Sequence, residues 1–164
     1  MTIGELNAGD RAAFVAALGW TFEKSPWVAD RTWERRPFRC FDALHAAMIH
    51  IVGEATEAEQ LALLRAHPDL GTRARVSEAS AGEQRGAGLD RLTPDEYARL
   101  QCLNDEYRKR FGFPFLFAVK GSTKHDVLAA LAARCTRTRD EELAEALRQV
   151  YKIARFRLEE LAGG

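Results

Sequence analysis

Hydrophobic positions recur at three- and four-residue intervals over most of this chain, the period of helices with one buried face. Residues 38–52 show it most clearly. Phe41, Leu44, His45, Met48 and Val52 share one face at about 100° per residue, and a helix is predicted there. Residues 10–18 predict a short helix capped by Asp10. Ser25-Pro26 opens another that runs from Trp27 to about Glu34, before Pro37. Thr56-Glu57-Ala58-Glu59 has the pattern of a capping box, with Thr56 accepting from the first turn and Glu59 reaching back. The helix it opens carries Leu61 and Leu64 and must end at His67, because Pro68 disfavours helical geometry in the residue before it. Residues 69–90 contain Gly71, Gly82, Gly86 and Gly88 and read as irregular.

Thr93-Pro94-Asp95-Glu96 is a second strong helix start, and the helix it opens buries Tyr97, Leu100, Leu103, Tyr107 and Phe111 until Gly112 and Pro114 stop it. Residues 113–119 are strand-like but too short and solitary to imply a sheet. A helix over 124–134 follows, and a last one starts near Thr138-Arg139-Asp140-Glu141 and runs to about Leu161. No internal repeat interrupts the series. The expected fold is all-α, a single-domain helical bundle over residues 1–164.

Composition narrows the function classes. At 164 residues the chain can bury a core without disulfide or metal staples. Lys and Arg together number 24, as do Asp and Glu, so the basic excess that nucleic acid or an anionic membrane would want is missing. No apolar run approaches the roughly 20 residues of a membrane-spanning helix. The first residues carry no basic stretch leading into an apolar one, so no signal peptide is expected. Cys40, Cys102 and Cys135 are far apart and form no C-x-x-C pair. They read as small buried or half-buried thiols in a reducing compartment, the cytoplasm, and not as a disulfide or zinc framework.

Two residues stand out chemically. His67 lies at a helix C-terminus, fixed by Pro68 and followed by Asp69. The carbonyl end of a helix favours a protonated imidazole, which suits a general acid; the plainer reading is a C-terminal cap. Arg157 falls inside the apolar stripe of the last helix, formed by Leu143, Leu147, Val150, Ala154, Leu158 and Leu161. A guanidinium facing a core must find an anion unless it snorkels at the rim. Elsewhere, His45 reads as a core or pocket residue, and His50 and His125 as surface residues. His50 and Glu54, four apart, make no metal site by themselves. Ser80-Ala81-Gly82-Glu83-Gln84 combines small residues with a carboxylate and an amide. It is also a plausible helix start, with Ser80 as the cap, Glu83 fixed in the first turn and Gln84 free to reach inward.

His67-Pro68-Asp69-Leu70 resembles the HPDL motif of the 2-oxo-4-hydroxy-4-carboxy-5-ureidoimidazoline (OHCU) decarboxylase family. The resemblance covers nearly the whole chain. It takes in Ser25-Pro26-Trp27, Arg36-Pro37-Phe38, Ser80 to Gln84 as SxxEQ, Gly88-Leu89-Asp90, Leu103-Asn104 with Tyr107, Phe111-Gly112-Phe113-Pro114-Phe115, and Lys152-Ile153 with Arg157-Leu158. One departure is Gly71-Thr72-Arg73, where many members have Ala-Gly-Lys.

The resemblance implies an all-helical, cofactor-free lyase of purine degradation, usually a homodimer. It would release CO2 from OHCU, the product of hydroxyisourate hydrolysis, to give (S)-allantoin. It further implies His67, Glu83 and Arg157 as catalytic residues. Substrate contacts are implied at Pro68, at Ser80, Ala81, Gly82, Glu83 and Gln84, and at Phe115, Leu116, Phe117, Ala118 and Val119, with no metal. The last residues, Leu161-Ala162-Gly163-Gly164, lack the peroxisomal address of some eukaryotic relatives, which fits a bacterial, cytoplasmic protein. Arg157 would then meet either Glu83 or an anionic group of the substrate, and the substrate is the favoured partner. A relative acting on a different ureido or imidazoline acid, and a helical binding module with an exposed apolar face, stay as alternatives.

Overall fold

The computed structural model describes residues 1–72 and 77–164; Arg73, the third residue of the departure noted above, lies outside them. Among the described residues the secondary structure is α-helical, with one short 3₁₀ turn and no strand. The helices are α1 (Ile3–Ala8), α2 (Arg11–Leu18), α3 (Trp27–Thr32), α4 (Phe41–Glu54), α5 (Glu57–Arg65), α6 (Glu78–Gly86), α7 (Pro94–Phe111), α8 (Lys124–Arg134) and α9 (Arg139–Gly163). They fall into two compact units. The first holds residues 1–66 and 150–164, the second residues 67–149, and α9 runs through both.

Caps account for most helix starts. Asp10 accepts from the Ala13 amide, and Thr56 and Thr93 form the two expected capping boxes. Thr138 and Glu141 make the same exchange at the start of α9. Capping boxes at Thr2 and Thr123 were not anticipated, although Thr2-Ile3-Gly4-Glu5 carries the S/T-x-x-E signature and opens α1. The α4 helix starts at Phe41, three residues later than periodicity suggests, because the Phe38 backbone is engaged elsewhere. Asn7 accepts from its amide and donates to its carbonyl, both at 2.8 Å. The neighbouring Arg36 guanidinium lies over the Trp33 ring and donates to the Asn7 and Gly9 carbonyls that end α1. Arg36 and Phe38 thus tie this stretch to the end of α1, and the Arg36–Pro37 peptide between them is cis.

The core of the first unit is built from Leu6, Phe14, Leu18, Phe22, Val28, Leu44, Met48, Val52, Leu63 and Leu64, joined by Val150, Ala154 and Leu158 of α9. Its surface is laced with ion pairs, among them Arg11–Glu34, Arg31–Glu59 and Arg35–Glu54.

In the second unit, Tyr107, Phe111, Phe113 and Phe115 form an aromatic cluster, with ring centroids 4.5–6.2 Å apart. Gly112 caps α7 at φ +81°, a left-handed conformation that glycine adopts without a Cβ clash. It turns the chain into residues 113–119, which form neither helix nor strand. The stretch predicted as irregular contains a full helix, α6. Its cap is Ser77, which accepts from the Ser80 amide at 3.2 Å, so Ser80 stands inside the helix and does not cap it.

The buried stripe of α9 runs as expected through Val150, Ala154 and Leu158 but is displaced in its first half. Glu142, Ala146 and Gln149 are buried, whereas Leu143 and Leu147 are half-buried. Cys135 is buried, Cys40 half-buried and Cys102 exposed, so one of the three thiols departs from the expectation. No described helix is long and apolar enough to cross a membrane.

Candidate active site

The second unit holds the loop of His67, the SxxEQ helix and the 115–119 segment. His67 follows the end of α5 by two residues and is 7% exposed. Three side chains hold the loop it opens. Arg108 donates to the Asp69 carboxylate at 2.8 Å, Asn104 to the Leu70 carbonyl at 3.1 Å, and the Gly71 amide donates to Gln84 Oε1 at 2.9 Å. Gly71 has φ +72°, and a Cβ built on it would lie 2.4 Å from Leu100 Cδ2. Both its backbone conformation and its close approach to α7 call for glycine. His67, one residue past the C-cap Ala66, is thus a buried imidazole at the start of a loop held at three successive residues.

Helix α6 brings Ser80 and Gln84 to one buried face, four residues apart, with Glu83 half-buried beside them. Gln84 does reach inward, as anticipated, and its amide oxygen ties α6 to the His67 loop.

Residues 113–116 are buried and Phe117 and Ala118 half-buried. Two buried side chains hold this segment: Arg134 donates to the Leu116 carbonyl at 2.6 Å, and the Ala118 amide donates to Gln149 Oε1 at 2.9 Å. Arg134 also donates to Glu142 Oε1 at 2.7 Å, and the Tyr107 hydroxyl donates to the same oxygen at 2.6 Å. Burial, together with that bond to a carboxylate, pushes the Tyr107 hydroxyl well above its ordinary range, so it stays protonated and a donor. Sequence reasoning passed over this network. A signal existed: Glu142 and Gln149 are seven residues apart, a separation that returns a helix to the same face. The leucines beside them drew the stripe one position away.

Arg157 belongs to the first unit and is 2% exposed. It donates to Glu23 Oε2 and to the Trp20 carbonyl, each at 3.0 Å, and Glu23 is equally buried. The expectation that a buried arginine must find an anion holds, and Glu23, which the sequence reading did not single out, is one such carboxylate. Glu23 lies 134 positions away in the chain, and nothing in its local pattern marks it.

The other histidines sit as anticipated. His45 is half-buried, with Nε2 2.8 Å from the Tyr151 carbonyl. His50 is exposed beside Glu54, and His125 is exposed. Among the described residues no three His, Cys, Asp or Glu side chains converge as a metal ion would require.

The second unit thus carries a buried imidazole and a half-buried carboxylate on α6, groups able to exchange protons, and an irregular segment whose main-chain groups can match amide-like donors and acceptors.

Comparison with known proteins identifies the family. The model of the OHCU decarboxylase family matches residues 7–159. A 2-oxo-4-hydroxy-4-carboxy-5-ureidoimidazoline decarboxylase of Halalkalicoccus jeotgali is 47% identical over 161 residues, covering 98% of this chain and 92% of that protein. The uric acid degradation bifunctional protein of Bacillus subtilis is 44% identical over 160 residues, 98% of this chain and 32% of its own length. Among solved structures, an (S)-allantoin synthase superposes with a TM-score of 0.81 at 35% identity, over 98% of this chain and 54% of that one. By sequence and by fold, this chain belongs to the OHCU decarboxylase family.

Proposed function

We propose that this protein decarboxylates OHCU to (S)-allantoin in uric acid degradation, with His67 as the proton donor. The observation that carries the reading is the buried His67 on a loop held by Arg108, Asn104 and Gln84, in a chain of this family. The departing carboxylate of OHCU sits on a carbon next to a C=N bond. When the C–C bond breaks, its electron pair moves onto that nitrogen, giving an enamine-like intermediate, and CO2 leaves. His67 then gives its proton to carbon from one face and is reprotonated from solvent. Such a step needs no cofactor and no metal.

Glu83 orients the imidazole or the hydroxyl of the substrate, with Pro68, Ser80, Ala81 and Gly82 lining the approach. Gln84 uses its oxygen on Gly71, so its amide nitrogen is the end left for a ligand. Residues Phe115, Leu116, Phe117, Ala118 and Val119 offer backbone groups to the ring and ureido amides. Arg157, held by Glu23, supplies positive charge to an anionic group of the substrate. The working form is a cytoplasmic homodimer, with the matched region of each chain acting as one enzymatic domain.

The test is conversion of freshly generated OHCU, followed by circular dichroism with the spontaneous decay subtracted. Stereospecific (S)-allantoin is expected. His67→Asn should fold normally and lose about 10²-fold or more of the rate, the usual scale for a positioned acid–base group. Racemic allantoin at the uncatalysed rate from the wild-type protein would refute the proposal, and an undiminished His67→Asn would remove His67 from the chemistry.

A further inference from the structure

We infer that Gln149 and Arg134 are positioning residues for the substrate, fixing the 115–119 segment on either side of Phe117 so that the Phe117 backbone can hold the ligand. This rests on the proposed role of that segment in binding OHCU.

A segment outside helix and sheet must satisfy its backbone groups by other means. Here two of them, the Leu116 carbonyl and the Ala118 amide, are taken by side chains of α8 and α9. These residues are two apart. The clamps therefore hold the backbone on both sides of Phe117. The N–H and C=O of Phe117 itself have no protein partner among the described residues. At the far end the Ser122 amide closes a turn onto the Val119 carbonyl at 2.9 Å, so the segment is anchored beyond the clamps as well.

The clamps are themselves held. Arg134 and Gln149 are 7% and 6% exposed. The Arg134 guanidinium lies 4.6 Å over the Phe115 ring and is aimed by Glu142, which Tyr107 also engages. Gln149 Nε2 donates to Glu145, leaving Oε1 directed at Ala118. A buried ion pair is seldom the most stable way to fill a core, because desolvation offsets much of its attraction. A chain of tyrosine, carboxylate and guanidinium ending on one carbonyl fits the setting of backbone direction better than stability alone.

The experiment uses the full chain, with OHCU as substrate and allantoin as binding probe. Gln149→Leu removes the acceptor for Ala118 at similar volume. It should raise KM about tenfold with kcat within threefold, and weaken allantoin binding by a similar factor. The double exchange Glu145→Gln with Gln149→Glu swaps amide and carboxylate while keeping an acceptor for Ala118, and should bring KM back to within threefold of wild type. In the unaltered protein, allantoin should slow hydrogen exchange of the Phe117 amide, a measurement independent of whether any variant folds.

A wild type that converts OHCU, with Phe117 exchange unmoved by allantoin or KM unmoved in Gln149→Leu, overturns this inference alone. So does a variant whose lower melting temperature and lower kcat come with an unchanged KM, since that is a purely structural role. A wild type that neither converts OHCU nor binds allantoin overturns the functional proposal, and this inference with it.

Discussion

Arg157→Met separates fold from function at the residue where the two are hardest to tell apart. The substitution keeps most of the aliphatic volume and removes the guanidinium. In the free protein it leaves Glu23, 2% exposed, without the cation 3.0 Å away, and it also removes the bond to the Trp20 carbonyl. Breaking one side of a buried pair costs about 3–5 kcal/mol. For a chain of 164 residues, each kcal/mol shifts the melting temperature by about 2–4 °C, so a fall of roughly 6–20 °C is expected. Had Arg157 faced only the substrate, removing an uncompensated cation would have left stability unchanged or raised it. The pair with Glu23 reverses that expectation.

The double variant Glu23→Gln with Arg157→Met supplies the control. With no charge left behind it should be more stable than the sum of the single changes, by a coupling of roughly 1–3 kcal/mol. The assay is thermal and urea unfolding of all three variants without ligand, followed by allantoin titration below the melting range of each. A melting temperature for Arg157→Met within 2 °C of wild type would refute the structural part of this reasoning. Unchanged allantoin affinity would remove Arg157 from the substrate contacts.

Three further outcomes follow from the structure. Gly71→Ala puts a Cβ at φ +72° against Leu100 and should cost about 1–3 kcal/mol in urea unfolding, while Gly163→Ala, with nothing near its Cβ, should be neutral. The carboxyl of Glu96 is lowered to about 2, first by its bond from Lys124 and then by the Thr93 amide. Because its folded value lies below its unfolded one, the stabilisation is full above about pH 4.5 and is lost as pH falls toward 2; Lys124→Met should flatten that part of the melting curve against pH. Activity should survive EDTA, and loss of activity restored by a divalent ion would overturn the metal-free mechanism.

How far the molecule could be read without its tertiary structure follows from the range of the interactions involved. Caps and stops are local. Asp10, Thr56 and Thr93 each bond within three residues, and α2, α7 and α8 begin within a residue of where their patterns place them. The all-helical class was legible for the same reason, and so was the family, whose motifs are short and ordered along the chain. The HPDL and SxxEQ residues were found as motifs, but what each touches is set by packing. Gln84 reaches Gly71 across 13 positions, and Asn104 reaches Leu70 across 34.

The misreadings were of two kinds. On α6 and α9, glycines and neighbouring leucines outweighed the true pattern, which shows only once the partner surface decides which side chains are enclosed. The ion pairs were invisible for a different reason. A buried charge announces that it needs a partner, as Arg157 did, because leaving it unpaired costs several kcal/mol. It does not announce which partner. Glu23 for Arg157, and Glu142 for Arg134 and Tyr107, are selected by the folded chain alone, since only packing brings such distant positions within 3 Å.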